Sequence, residues 1–578
     1  VSGGREFPGL RRGWILAAAL VALLWFGGLE MRGLFDPDEG RYAEIPREML
    51  ASGDWVTPRL NDLKYFEKPP LQYWASALGM AAFGEDEWTA RLWPAVSGFF
   101  ALLFLAFAGN RTGPPGSGYA GSLVLASCLG FFIASQYLTL DMGLASLMSI
   151  ALGAFLLAMR EPFDAMRARR WMLLAWAAMA GAVLAKGLVG IVLPGAALMA
   201  YTAFYRSWPL LRRMEWLRGG ALFALIALPW HVLAQWRNPE FLRIYFLQEH
   251  FARYLLPEHH RPGAWWYFSL ILGLSLVPWV ILLPRALREL PPRTQEARLD
   301  VDRFLIVWAG VILVFFSLSA SKLPAYVVPA MPALALLLGR DVARRGGFST
   351  AGPALLLALC GALALSFGLL AMGRMQSVAD LLTLYFPYFE VGAGVFVVGG
   401  LLAWRLEGAT RSGSAVALAL ASIAGAQGLI LGLHQLDERY STERMVEQLI
   451  GENGTFDASP PFYSVGFFEG SLAYYLGRTM TLVAYQGELA PGIAAEPAKY
   501  VDTVGEFEQR WRAADEAYAV MRPAQYASLR AAGLPMRVLA LDARRVIVSR
   551  GAEDPPLSAK RRVRPSWLAD RSVPAPRP

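Results

Sequence analysis

Leu34–Trp74 reads LFDPDEGRYAEIPREMLASGDWVTPRLNDLKYFEKPPLQYW. It is the densest polar segment in the first 230 residues, and it follows directly on an apolar run. Within about forty residues it carries Asp36, Asp38, Glu39, Arg41, Glu44, Arg47, Glu48, Asp54, Asp62, Lys64, Glu67 and Lys68, then stops at a Pro-Pro pair. A connector between membrane helices is usually short, whereas long loops in compact proteins usually carry function. The stretch is therefore read as one wall of an active site, with the surrounding helices bringing other charges to it.

Composition says what surrounds that wall. The chain has 578 residues, 55% hydrophobic and 17% charged, with mean hydropathy +0.37. Soluble domains carry roughly 25% charged residues and no apolar runs near twenty. The chain is thus a polytopic α-helical membrane protein with a small soluble appendage. The net charge of +8 is not a nucleic-acid signal, because the arginines are scattered through short loops as the positive-inside rule expects. Cys128 and Cys360 both lie inside apolar runs, which argues against a disulfide framework. Trp14–Leu29 is followed by Glu30-Met31-Arg32 without a small-residue cleavage pattern, so no cleavable signal peptide is expected.

About thirteen spans are expected: Trp14–Leu29, Trp88–Ala108, Tyr119–Leu140, Met142–Met159, Trp171–Ala185, Leu188–Tyr205, Leu217–Trp236, Ala264–Leu287, Phe304–Ala320, Pro324–Gly339, Ala351–Met372, Val391–Trp404 and Ser414–Leu433. The short apolar stretch Pro70–Phe83 is read as a helix at the membrane interface, or else as a buried re-entrant helix. With the N-terminus in the cytoplasm, Arg111, Arg160, Arg206, Arg285, Arg340 and Arg405 all fall on inner connections. The first long loop, a second one over Arg237–Gly263, and turns holding Asp141, Lys186 and Lys322 then share the outer side. Charges at membrane depth are costly and mark sites by default. Each turn charge is either a wet turn at the lipid surface or part of a shared outer-face cavity; their coincidence favours the cavity.

From about Gln435 the composition changes. DERYSTERMVEQLIGENG reads as a helix ending at Gly454. PFYSVGFF, TMTLVAY, KYVDTV, AYAVMR and RRVIVSR then read as strands alternating with helical pieces at Glu506–Asp515 and Pro523–Ala532, a small α/β domain. The expected division is 1–434 for the membrane domain with outer loops 31–87 and 237–263, 435–553 for the α/β domain, and a Pro- and Arg-rich tail over 554–578 read as disordered.

No phosphate-cradling Gly-rich motif is present, and an outer-facing site has no nucleotide supply. An enzyme there draws its activated substrate from the membrane, and a polyprenyl-phosphate-linked group is the natural donor. Lys68, Lys186, Arg253 and Lys322 are candidate phosphate partners. Asp38, Glu39 and Asp141 are candidate catalytic or acceptor-orienting carboxylates. Glu67, His250, His259 and His260 have the side-chain types for a divalent metal, although the histidines equally suit the polar face of an interfacial helix. Arg41, Tyr42 and Tyr65 either complete a donor pocket or pack the loop.

At these residues a resemblance enters. The runs D-P-D-E-G-R-Y-A-E-I and Y-F-E-K-P-P-L-Q-Y-W, with Y-L-T-L-D-M in a tight turn, closely resemble the polytopic C-type glycosyltransferases, which include protein O-mannosyltransferases. Phe315–Ala335, which holds Tyr326, together with Pro229–His231 and Phe241–Tyr254, is similar to the aminoarabinose transferase family. The resemblance implies a C-type glycosyltransferase fold with a periplasmic C-terminal domain. It also implies transfer of 4-amino-4-deoxy-L-arabinose from undecaprenyl phosphate to lipid A phosphates at the bacterial inner membrane, and polymyxin resistance. It implies that Lys68 and Arg253 grip the donor phosphate, that Lys186, Lys322 and Tyr326 join the substrate site, and that Glu67 and His250 hold a divalent metal, zinc by preference, with no nucleotide cofactor. Two alternatives remain open: a sister enzyme with another sugar or a protein acceptor, and a transporter of lipid-linked sugar.

Overall fold

A computed structural model of the chain describes residues 8–160, 165–252, 263–292, 299–372, 379–451, 456–550 and 562–563. It divides into two compact units, Val1–Leu29 with Pro94–Gly432, and Glu30–Trp93 with Leu433–Pro578.

The first unit is helical. Among the described residues eight helices are long and apolar enough to cross a membrane, including Leu140–Arg160, Trp216–Arg237 and Val301–Leu318, or up to ten if each of two bent pairs is one span. The remaining expected spans also fall on helices, Pro8–Phe26, Ala165–Lys186 and Val189–Tyr205. The bent pairs are Ser117–Ser127 with Leu129–Ser135, at 69°, and Tyr267–Ser275 with Trp279–Arg288, at 106°. Pro278 sits at the second break, where it removes a backbone donor. The two breaks bond to each other: Leu129 N–H donates to the Val277 carbonyl at 3.1 Å, and the Trp279 side chain donates from Nε1 to Ser127 Oγ at 2.8 Å. Backbone freed at membrane depth is tolerated only where protein supplies such partners. Small residues set close packing elsewhere: a Cβ at Gly339 would lie 2.3 Å from Gly121 N, as at small-residue membrane interfaces.

The second unit joins the 30–93 segment to the C-terminal domain. The sequence alone assigns 31–87 to the membrane domain as a loop; the structure instead packs it with the α/β domain, and much of it is regular. Asp38–Ser52 is a helix with Asp38 and Glu39 in its first turn, where acids suit the macrodipole. Gly53 ends it at φ +69°, donating to the Met49 carbonyl, a left-handed cap that favours glycine. Strands β1 (Arg59–Leu60) and β2 (Leu63–Lys64) follow as a hairpin. Its turn residues Asn61 and Asp62 both have positive φ, the pattern of a two-residue hairpin turn. Glu48 accepts from both turn N–H groups, which fixes the approach to Tyr65, Glu67 and Lys68. Leu71–Phe83 is a further helix of this unit.

The α/β domain holds a six-stranded sheet of β3 (Phe462–Val465), β4 (Thr481–Val483), β5 (Tyr500–Val501), β6 (Tyr518–Met521), β7 (Arg537–Leu541) and β8 (Val546–Ser549), in the order β5-β4-β3-β6-β8-β7. The pairs among β5, β4, β3 and β6 are parallel, and those of β6 with β8 and β8 with β7 antiparallel. Phe507 and Trp511 of helix Val504–Ala513 pack with Tyr463, Val465 and Val548 in its core. The helix expected over DERYSTERMVEQLIGENG is broken into Asp437–Tyr440 and Glu443–Ile450; residues 452–455, with its expected end, lie outside the described residues.

Glycine brings the two halves of this unit together. A Cβ at Gly40 would stand 2.3 Å from Ser471 N, and one at Gly470 would stand 2.6 Å from Arg41 N. Only glycine lets the two backbones approach so closely. Asn61 Nδ2 donates to the Met480 carbonyl at 2.6 Å, and its Oδ1 accepts from Met480 N at 2.7 Å.

Candidate active site

Helix Asp38–Ser52 presents two unlike clusters. The first surrounds Glu39, which is 1% exposed. Arg91 donates to its two oxygens at 2.9 and 3.0 Å, Arg32 donates to both as well, and Phe35 N–H adds a bond at 3.1 Å. Arg91 also reaches the Arg32 and Gly33 carbonyls at 2.9 and 2.8 Å. Burial alone would raise the Glu39 pKa, but the two guanidinium groups outweigh it and hold the carboxyl well below the usual range. Glu39, expected among the catalytic carboxylates, thus has both oxygens hydrogen-bonded within the protein.

The second cluster surrounds Arg41. Its Nη1 donates to Tyr65 Oη at 2.9 Å and stands 3.9 Å from Glu67. Its Nη2 is 2.9 Å from Glu488 and 3.5 Å from Asp38. Among the described residues the buried Arg41 Nε has no hydrogen-bond partner. Lys68 Nζ lies 3.9 Å from Glu67 Oε2 and donates to the Glu67 carbonyl at 3.0 Å. Asp38 is the open member, its side chain 55% exposed. Tyr42 and Tyr65 are buried, and burial pushes both phenols well above their ordinary pKa, so they act here as neutral packing and hydrogen-bonding groups. Burial, with Glu67 and Asp38 opposing Arg41 and Lys68, pushes Glu488 up to about 7.

In the helical unit, Lys186, the last residue of helix Ala165–Lys186, forms an ion pair with Asp141 in the first turn of helix Leu140–Arg160. Its ammonium stands 5.0 Å from the centre of the Tyr326 ring, within cation–π range. Gly187, at φ +87°, ends that helix and donates to the Val183 carbonyl at 2.8 Å. Lys322 differs from its expected role. Its Nζ donates to the Ser317 and Ser319 carbonyls at 3.0 and 3.3 Å, capping helix Val301–Leu318 rather than standing ready for a phosphate.

The expected metal pair and the second phosphate cation are only partly described. His250 falls in the π-helical turn Arg243–Ala252, but its side chain, like Arg253, His259 and His260, lies outside the described residues. Among the described residues no group of three or more His, Cys, Asp or Glu is placed to hold a metal.

Three residues escaped the sequence reading. Arg32 and Arg91 flank apolar runs, and an arginine at the edge of a span is itself a signal. Glu488 lies in the unremarkable run GELAPG and gives no local signal.

Multi-pass helices and a cluster of Arg41 and Lys68 with three carboxylates, without a nucleotide motif, fit an integral-membrane enzyme; the comparisons with known proteins make it a glycosyltransferase of the lipid-linked-donor class. The family model described as dolichyl-phosphate-mannose-protein mannosyltransferase matches residues 12–245, and the one described as aminoarabinose transferase C-terminal domain matches 448–550. An undecaprenyl phosphate-alpha-4-amino-4-deoxy-L-arabinose arabinosyl transferase of Sodalis glossinidius is 33% identical over 405 residues, covering 66% of this chain and 69% of its own. For a Pseudomonas fluorescens relative of the same name the figures are 34% over 373 residues, 63% and 65%. The crystal structure of ArnT from Cupriavidus metallidurans bound to undecaprenyl phosphate superposes with TM-score 0.86 at 35% identity, covering 93% of this chain and 98% of that one. The chain belongs to the aminoarabinose transferase family.

Proposed function

We propose that this chain transfers 4-amino-4-deoxy-L-arabinose from undecaprenyl phosphate to a phosphate group of lipid A, at the periplasmic face of the bacterial inner membrane, and so lowers the negative charge that polymyxin-type peptides bind. The observation that carries this reading is 35% identity across 98% of a solved relative bound to undecaprenyl phosphate. The proposed topology is thirteen spans with the N-terminus in the cytoplasm and the α/β domain outside.

In the reaction, an acceptor phosphate oxygen bonds to the anomeric carbon of the sugar. The bond from that carbon to the donor phosphate breaks, and undecaprenyl phosphate leaves with the electron pair. A phosphate monoester has a second pKa near about 6, so the acceptor is already an oxyanion at neutral pH and needs no strong base. Asp38 therefore orients a substrate rather than abstracting a proton. Lys68 and Arg253 hold the donor phosphate, and Arg41 organises the carboxylates beside it. The Asp141–Lys186 pair with Tyr326 is a second contact for the lipid-linked substrates. Glu67 with His250 is proposed to hold a divalent metal, zinc by preference; metal analysis of the purified chain tests this, and no bound metal together with chelator-insensitive activity removes it.

The functional test is incubation of the purified chain with undecaprenyl-phosphate-aminoarabinose and lipid A. A mass shift of lipid A by one aminopentose is expected, and its absence overturns the reading. The match of residues 12–245 to a protein mannosyltransferase model favours one second reading, a sister transferase with another sugar or a protein acceptor, which the same assay with those substrates detects.

A further inference from the structure

The row Lys68–Glu67–Arg41–Glu488 alternates in sign, with neighbours 3.9, 3.9 and 2.9 Å apart. A sugar phosphate carrying a 4-amino group alternates too: an anion on C1 and, at neutral pH, an ammonium across the ring on C4. We propose that Glu488 is the carboxylate that recognises this ammonium and so selects an amino sugar over a neutral one. The inference rests on the proposed transfer of aminoarabinose.

Charge balance makes the first argument. Among the described residues the cluster holds two cations, Arg41 and Lys68, and three carboxylates, Asp38, Glu67 and Glu488. A ligand that carries an ammonium as well as a phosphate suits a cluster in which the described carboxylates outnumber the described cations. Of the three carboxylates, Glu67 already stands between two cations. Asp38 has a side chain 55% exposed, so water screens it. Glu488 is 26% exposed and has one cation, Arg41, which leaves it an accessible acceptor in low-dielectric surroundings, where a charge-assisted bond is strong.

A second, independent observation is the buried Arg41 Nε, which has no acceptor among the described residues. A buried donor without a partner is costly, and a ligand oxygen arriving between Lys68 and Glu488 would satisfy it. The third observation is where the residues come from. Asp38, Arg41, Glu67 and Lys68 all lie within residues 12–245, matched by a model named for transfer of mannose, a sugar without an amine. Glu488 lies within 448–550, matched by the model named for aminoarabinose transfer. Among the described residues of the cluster, Glu488 is the carboxylate contributed by the region that matches the aminoarabinose transferase C-terminal model.

The test compares two donors on the full chain in detergent: undecaprenyl phosphate carrying the free aminosugar, and the same donor N-acylated, which is neutral at that position. Wild type is expected to prefer the free amine in kcat/KM. Glu488→Gln is expected to lower that preference about 10- to 100-fold, the value of a hydrogen bond to a charged group, while turnover of the acylated donor persists. An unchanged preference, or equal loss with both donors in a folded variant, overturns the proposal and leaves Glu488 as a structural partner of Arg41. If the Gln variant does not accumulate, Glu488→Asp, which keeps the charge facing Arg41 but draws it back by one methylene, is expected to lose preference about 3- to 10-fold; full preference there overturns the proposal. Absence of transfer by wild type with either donor overturns the reading of function first, and this inference with it.

Discussion

Glu39 and Arg41 lie on the same helix with inverse arrangements. Glu39 is one carboxylate gripped by two guanidinium groups, with its hydrogen-bonding capacity filled from within the protein. Arg41 is one guanidinium facing three carboxylates, with a buried N–H that has no partner among the described residues. The first cluster is closed and the second is waiting for something. A buried charge whose partners are complete supports the fold, whereas one whose partners are mismatched in sign and number is where a ligand completes the set.

The strongest way to break this contrast is Glu39→Gln. It leaves Arg32 and Arg91 buried without an anion, and removing one partner of a buried pair costs about 3–5 kcal/mol. Loss of folded protein, read by thermal unfolding and size exclusion, is expected before any effect on chemistry can be measured. The pH dependence has a definite sign. The folded pKa of Glu39 is depressed, so its contribution is fully present above its unfolded value near about 4.3 and is lost only as pH falls through the folded value. Stability that changed between pH 6 and 8 because of Glu39 would contradict the closed arrangement.

Asp38→Asn tests the open cluster. The side chain is 55% exposed with one long ion pair, so stability is expected to move by no more than about 0.5 kcal/mol. Activity is expected to fall on the order of 100-fold. Because the acceptor is already ionised, the acidic limb of the pH–rate profile, where a carboxylate acting as general base would titrate, should stay where it is. A clear shift of that limb would make Asp38 a general base instead.

Asp36 sharpens the comparison from between the two cases. Its carboxylate accepts from Ser471 N at 3.0 Å and from Ser471 Oγ, which ties the loop to the α/β domain. Burial, then the neighbouring Glu469 charge, push it up to about 7 despite Ser471 and Arg545. With the folded value raised above an unfolded value near about 3.9, its contribution is full in acid and is lost as pH rises from about 4 through about 7. Asp36→Asn should flatten the fall in melting temperature across that interval, and an unchanged slope would refute the assignment.

How much of this could be read beforehand follows from where the partners lie. The apolar runs were legible because a span must be apolar along its own length. The strands β3, β4, β5, β6 and β8 were legible from short β-branched and aromatic runs between turn residues. Helix Asp38–Ser52 was read as loop because its buried face carries Glu39, Arg41, Glu44, Arg47 and Glu48, which no hydrophobic periodicity reveals. Glu39 and Arg41 are buried against partners outside the helix, while Glu44 and Arg47 pair with each other one turn apart. β7 was missed for a related reason: in Arg537–Leu541 only Ala540 is buried, so the strand at the sheet edge has no alternation to read. Arg41 and Glu488 meet only after folding, and nothing local marks the pair.

Lys322 is the smallest and most discriminating case, because sequence and structure give it different roles. A turn lysine on the outer side reads as a phosphate ligand, yet its ammonium donates to two carbonyls at the end of the preceding helix, Val301–Leu318. A cation at a helix C-terminus contributes about 0.3–1 kcal/mol. Lys322→Met should therefore lower stability by no more than about 1 kcal/mol and leave the affinity for undecaprenyl phosphate unchanged. Lys68→Met, removing the cation at the end of the alternating row, should weaken that affinity with little change in stability. If both variants weaken the lipid equally, the cap is incidental and the ammonium of Lys322 belongs to the substrate; if only Lys68 does, a charge bonded fully to its own backbone is structural even where sequence reading places it at a site.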